Sequence, residues 1–166
     1  MTTIQVYEET TGLKPGDIVT GSGGALSVTL APGIITNIFD GIERPLEKIA
    51  EQSGSYIDRG FNIDSLDIEK KWDVKVTVKK DDYITGGTII AEVPESTSII
   101  HKSMVPPNIE GKVVNVAPDG KYTINETIVT IIDNDNQEHN LTLTQKWPIR
   151  IPRPAKERCP ATTPLI

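Results

Sequence analysis

Apolar and polar positions follow different rules in successive stretches of the chain. Over residues 72–144 the period is two: Val74-Lys-Val-Thr-Val78, Thr88-Ile-Ile-Ala-Glu-Val93, Gly111-Lys-Val-Val-Asn-Val116, Thr127-Ile-Val-Thr-Ile-Ile132 and Asn140-Leu-Thr-Leu-Thr144 are separated by turn residues at short intervals. β-branched side chains suit a pleated, half-buried surface, so this stretch predicts a compact sandwich or barrel. In residues 1–31, Ile4, Val6, Ile18, Val19, Leu26, Val28 and Leu30 stand among polar neighbours, and the turn chemistry of Leu13-Lys-Pro-Gly-Asp17 and Gly21-Ser-Gly-Gly24 separates them. Two or three short strands are expected there. Between these β regions, Ile34, Ile35, Ile38, Phe39 and Ile42 recur at spacings of three and four, the period of a helix. Pro45 interrupts it, and a second short helix carrying Leu46, Ile49 and Ala50 is expected to start there and end at Gly54. Residues 57–71 show no period and read as a loop.

The β region repeats itself. Val76-Thr-Val-Lys-Lys-Asp-Asp-Tyr-Ile-Thr-Gly-Gly-Thr-Ile-Ile90 aligns with Val114-Asn-Val-Ala-Pro-Asp-Gly-Lys-Tyr-Thr-Ile-Asn-Glu-Thr-Ile-Val129 when one residue is inserted. Two copies can bury their apolar faces against each other with approximate two-fold symmetry, as in the barrel-sandwich-hybrid domains that carry biotin or lipoate, which this region resembles. Those domains attach the cofactor to a lysine at the hairpin between their halves. Here Thr97 or its neighbour falls at that place, and Lys102, the nearest lysine, comes about five residues late, so the resemblance implies the fold without its cargo.

Composition narrows the chemistry. With 17 basic and 23 acidic residues the net charge is −6, and the cations are dispersed, which argues against a nucleic-acid partner. No stretch approaches the roughly 20 apolar residues that cross a bilayer, and the first residues lack the layout of a signal peptide. One cysteine, Cys159, excludes an internal disulfide and fits a reducing compartment, the cytoplasm. His101 and His139 are far apart with no second ligand at metal spacing, so no metal site is expected.

Other motifs have ordinary readings. Asp133-Asn-Asp-Asn-Gln-Glu138 opens like a calcium loop, but Glu138 stands where glycine belongs and Thr144 where a bidentate Glu belongs. Gly21-Ser-Gly-Gly24 is not followed by the Lys-Ser or Lys-Thr of a phosphate loop. The sequons at Asn125 and Asn140 mean little without a secretory signal. The carboxylate pairs Glu8/Glu9, Asp81/Asp82 and Asp133/Asp135 lie in or beside predicted turns, where acids stay solvated. No catalytic, cofactor-binding or metal residue is assigned.

Two segments carry a family resemblance. Ala31-Pro-Gly-Ile-Ile-Thr-Asn-Ile-Phe-Asp-Gly-Ile-Glu-Arg-Pro-Leu46 and Gln145-Lys-Trp-Pro-Ile-Arg-Ile-Pro-Arg-Pro154 resemble the catalytic A subunit of V-type and A-type rotary ATPases, with Ala31 and Thr36 replacing glycines of the pattern. Leu26-Ser-Val28, Glu69-Lys-Lys-Trp72, Gly86-Gly87, Met104-Val-Pro-Pro107, Gly111 and Tyr122-Thr-Ile124 match it in the same order. The resemblance implies four parts: partial strands of an amino-terminal β-barrel (1–31), a helical connector (32–71), a β-sandwich bulge or non-homologous region (72–144), and a proline-rich lead-in to a nucleotide-binding domain (145–166). It also implies that the chain is a fragment with no phosphate loop or catalytic glutamate of its own. ATP or ADP with magnesium belongs to the parent, a peripheral part of a membrane complex that moves protons or sodium ions. B subunits and peripheral stalk subunits are the implied partners, with self-association through open strand edges as a further expectation. A cofactor carrier and an autonomous enzyme are the competing readings.

Overall fold

The computed structural model describes residues 6, 10–21, 23–54 and 63–155. Among these residues, ten strands and one helix follow in the order β1 (Ser27–Leu30), α1 (Leu46–Ser53), β2 (Trp72–Val76), β3 (Tyr83–Ile84), β4 (Ile89–Pro94), β5 (Ile100–Met104), β6 (Gly111–Val116), β7 (Gly120–Tyr122), β8 (Val129–Ile132), β9 (Glu138–Leu141) and β10 (Gln145–Pro148). They form one ribbon, β1-β10, and two four-stranded sheets, β5-β4-β2-β7 and β3-β6-β8-β9.

The two larger sheets realise the internal repeat. Strands β2 to β5 and β6 to β9 trace the same path, and each half places its short second strand in the other half's sheet: β3 pairs with β6, and β7 with β2. Val74, Ile90 and Val93 from one sheet and Val113, Val129, Ile131 and Leu141 from the other make a single core, each at most 5% exposed. Exchange of β3 and β7 makes the halves mutually dependent, because neither sheet has four strands without the other half. The period-two reading missed β3, β5 and β7. Two of these are too short to show a period, and β5 is mostly polar.

Residues 34–42 do not form the expected helix. The Asp40 carboxylate accepts from the backbone N–H groups of Ile42 (3.0 Å) and Arg44 (2.8 Å) and from Arg44 Nε (2.7 Å), and Phe39 bridges Pro45 across the reversal. Such local side-chain acceptors compete directly with helical hydrogen bonds. The apolar spacing also fails to give one face: Ile34 and Phe39 pack on the core, whereas Ile35 and Ile38 are 57% and 65% exposed. The connector's helix is α1, which follows Pro45, buries Ile49 and closes at Gly54 (φ +73°) with its N–H on the Ala50 carbonyl.

The ends differ from expectation as well. Of the early strands, the alternation at Leu26, Val28 and Leu30 yields β1; Ile18 and Val19 are exposed and have no ladder partner, and Ile4 lies outside the described residues. The segment read as a proline-rich lead-in contains β10, which pairs antiparallel with β1 from Ser27↔Pro148 to Leu30↔Gln145. The chain therefore enters and leaves the sandwich side by side.

Candidate functional site

The conspicuous polar chemistry lies at the junction between ribbon, connector and sandwich. Glu43, held at φ +64°, places both carboxylate oxygens on the Thr29 backbone N–H, at 2.9 and 2.8 Å. Burial raises its pKa, against the lowering effect of Thr29 and the Ser65 side chain. Because Thr29 lies opposite Lys146 and gives its N–H to Glu43, this is the pair whose amides point away from the ribbon. Glu43 thus occupies one of the two outward amides of β1, the other being that of Ser27. On β10 the outward position at Pro148 has no N–H to offer, while Lys146 keeps an outward one, so each edge is guarded at one position against pairing with another chain.

On the sandwich side, Glu95 leaves the end of β4 and reaches back to the connector. Its Oε1 accepts from the N–H groups of Ile35 (2.9 Å) and Thr36 (3.1 Å). Trp72, 6% exposed, anchors the same stretch. Its ring lies against Gly33, where a Cβ would come within 3.3 Å of it, while the Lys70 ammonium sits 3.9 Å above the ring centre. The closing segment folds onto itself: Trp147 Nε1 donates to the Ile151 carbonyl (2.6 Å), and the Arg153 guanidinium stacks 4.4 Å over that ring while bonding Gln145 Oε1.

Asp40 holds this junction electrostatically. Burial raises its pKa, but the Arg44 backbone and side chain and the Ile42 amide outweigh that and leave it lowered. A carboxylate with a depressed pKa contributes stability above its unfolded value that is lost as pH falls through the folded one. Asp40→Ala is expected to cost about 1–3 kcal/mol at neutral pH. Urea titrations at neutral pH and below the ordinary Asp value of 3.8 check this, with the deficit shrinking in acid.

The remaining sequence candidates do not converge. Thr97 sits at the tip of the β4–β5 hairpin, and Lys102 lies within β5 opposite Glu92, off the tip. Asp133 organises a turn, accepting from the Asp135 and Gln137 amides and standing 2.7 Å from His139 Nε2; these contacts keep its pKa low. Asp81 pairs with Lys112 at 2.7 Å, and Asn140 Oδ1 accepts from Thr130. Asn125 is exposed in the turn between β7 and β8. Gly23 takes φ +77° in a bend. Glu8, Glu9 and Cys159 lie outside the described residues. Among the described residues no three His, Cys, Asp or Glu side chains gather at metal-binding distance, and no helix is long and apolar enough to cross a membrane. Sequence reading passed over Glu43 and Glu95, because each acts through backbone amides distant in sequence. The available local signal was Asp40-Gly41 ahead of Pro45, a turn signature.

Two interdependent four-stranded sheets around one core, with a paired ribbon beside them, define a barrel-sandwich domain. The chain belongs to the ATP synthase alpha/beta subunit barrel-sandwich domain family, whose model matches residues 63–150. It is similar to the V-type ATP synthase alpha chain of Halothermothrix orenii, 51% identical over 166 residues, which is all of this chain and 28% of that relative. The A-type ATP synthase A subunit of Methanopyrus kandleri is 48% identical over 164 residues, covering 99% of this chain and 28% of the relative. Its counterpart in Pyrococcus abyssi is 49% identical over 163 residues, with 98% and 16% covered. The chain thus spans less than a third of the length of these relatives.

Proposed function

We propose that this chain is a non-catalytic, structural and interaction part of the catalytic A subunit of a V/A-type rotary ATPase, with the sandwich as the outward bulge. The parent would couple ATP hydrolysis or synthesis to proton or sodium transport. The observation that carries the reading is an identity of 51% sustained over the whole chain, across ribbon, connector and sandwich alike. The geometry supports a scaffold: Asp40, Glu43, Glu95 and Asp133 are engaged with amides of their own chain. A hairpin tip at Thr97 with Lys102 inside β5 disfavours the carrier alternative. In this reading residues 1–31 belong to an amino-terminal barrel, 32–71 to a connector and 145–166 to the approach to a nucleotide-binding domain. B subunits and peripheral stalk subunits are the partners, at the membrane periphery on the cytoplasmic side.

Isothermal titration with Mg-ATP is expected to give no heat, intact-mass measurement to give an unmodified chain, and pull-down to recover stalk or B-type subunits. Micromolar ATP binding, or a mass increment of biotin or lipoate, would overturn the proposal.

A further inference from the structure

Strand β5 is an edge of its sheet: the order β5-β4-β2-β7 leaves one of its sides without a neighbouring strand among the described residues. The ladder to β4 fixes which of its groups face that side. Glu95 donates its N–H to the Ile99 carbonyl at 3.0 Å, and in the next pair, Pro94↔Ile100, the proline has no N–H to give. Bonded and unbonded pairs alternate in an antiparallel ladder, so His101 and Ser103 bond β4, and the N–H and C=O groups of Ile100, Lys102 and Met104 point away from it. Past the extra residue that β4 inserts at Ile90, the Val105 N–H on the Thr88 carbonyl (2.9 Å) keeps the same alternation.

The side chains of those three residues share the solvent face. Ile100 is 57% exposed and Met104 37%, with Lys102 exposed between them, whereas Ser103 is buried. Lys102 also ends a row of charges across the sheet, since Lys75 lies opposite Glu92 and Glu92 opposite Lys102. The other edges of the sandwich differ. β7 has three residues and β3 two, and the four-residue β9 shows Glu138 and Asn140 to solvent, neither of them apolar.

We propose that β5 is a docking edge for an extended segment of another protein, one that carries an acidic residue between two apolar ones at alternate positions. Such a segment adds a strand to the sheet: its backbone takes the outward groups of Ile100, Lys102 and Met104, its acid continues the alternation Lys75, Glu92, Lys102, and its apolar residues cover Ile100 and Met104. A second copy of this chain is the poorer occupant. Two β5 strands paired antiparallel with all three residues engaged set Lys102 against its own counterpart, and like charges directly opposite are destabilising. Lys102 thus repels a copy while it admits an acid. The proposal rests on the reading of the sandwich as an interaction part, and gives that part a position and a partner chemistry.

NMR titration of the ¹⁵N-labelled chain with the peptide acetyl-Val-Thr-Glu-Thr-Val-amide, carried into the millimolar range, tests the docking edge. Amide shifts are expected to concentrate at Ile100, Lys102 and Met104, and the counterpart peptide with Lys in place of Glu to bind about fivefold more weakly. Lys102→Glu should invert that preference, with an unshifted Ile131 amide in the core as the check on its fold. No shift along β5, shifts confined to another edge, equal affinity for the two peptides, an unchanged preference in the folded variant, or an unmodified chain that already pairs with itself through β5 overturns the proposal. The shift map of the unmodified chain is independent of how the variant folds. Neither peptide is a nucleotide, so the outcome is read apart from the Mg-ATP titration that tests the non-catalytic reading.

Discussion

Trp72→Ala is expected to be the most damaging single substitution, removing about 3–5 kcal/mol, a large part of the stability of a domain this size. The ring is 6% exposed at the start of β2, within the core cluster that includes Leu66, Val74 and Ala31. It touches two structures at once. Its strand pairs with β7 through Trp72↔Tyr122, while the ring edge fills the space left by Gly33 in the connector. Truncation leaves a cavity on the connector side, beside Gly33 and Leu66, and removes the platform for the Lys70 ammonium. Urea unfolding can be followed through Trp147, the one tryptophan left in the variant, which resides in the ribbon. A lower midpoint with an early loss of Trp147 signal is expected. An unchanged midpoint would mean that Trp72 packs without coupling connector to sandwich.

What could be read from the residues follows the range of the forces involved. The β region was legible because Val, Ile and Thr alternate at β2, β4, β6 and β8, and because the repeat implied two halves. The exchange of β3 and β7 between the sheets was not, since two- and three-residue strands have no period and owe their existence to a distant partner. Residues 34–42 had helical spacing, but Asp40 offered the backbone a nearer acceptor and Gly33 at φ +103° turned the chain. The early apolar positions Ile18 and Val19 looked like strand and are not, because a strand is defined by its ladder and not by its own residues. The junction was hidden for a related reason. Glu43 serves an amide 14 residues back and Glu95 one 60 residues back, distances over which composition has no memory.

Gly111→Ala is expected to cost about 3 kcal/mol, although it adds a single methyl group. Gly111 opens β6, pairing with Ile84 of the exchanged strand β3, while the next residue, Lys112, pairs with Ile132 of β8. A Cβ here would run into the Ile132 carbonyl oxygen and lie 3.0 Å from Asp133 Cα, and both are backbone atoms that no rotamer change can move aside. Relief requires β6 to separate from β8 at the point where β3 joins the sheet. The strain therefore falls on the crossing that ties the first half of the sandwich to the second. Gly120→Ala is the control: its nearest neighbour is the Tyr122 ring at 3.4 Å, a side chain that can shift, and a change of less than about 1 kcal/mol is expected. Circular dichroism in urea separates the two variants. Equal midpoints would show that the sheet can open at Gly111 without loss, and that the exchanged strands are not what holds the two halves together.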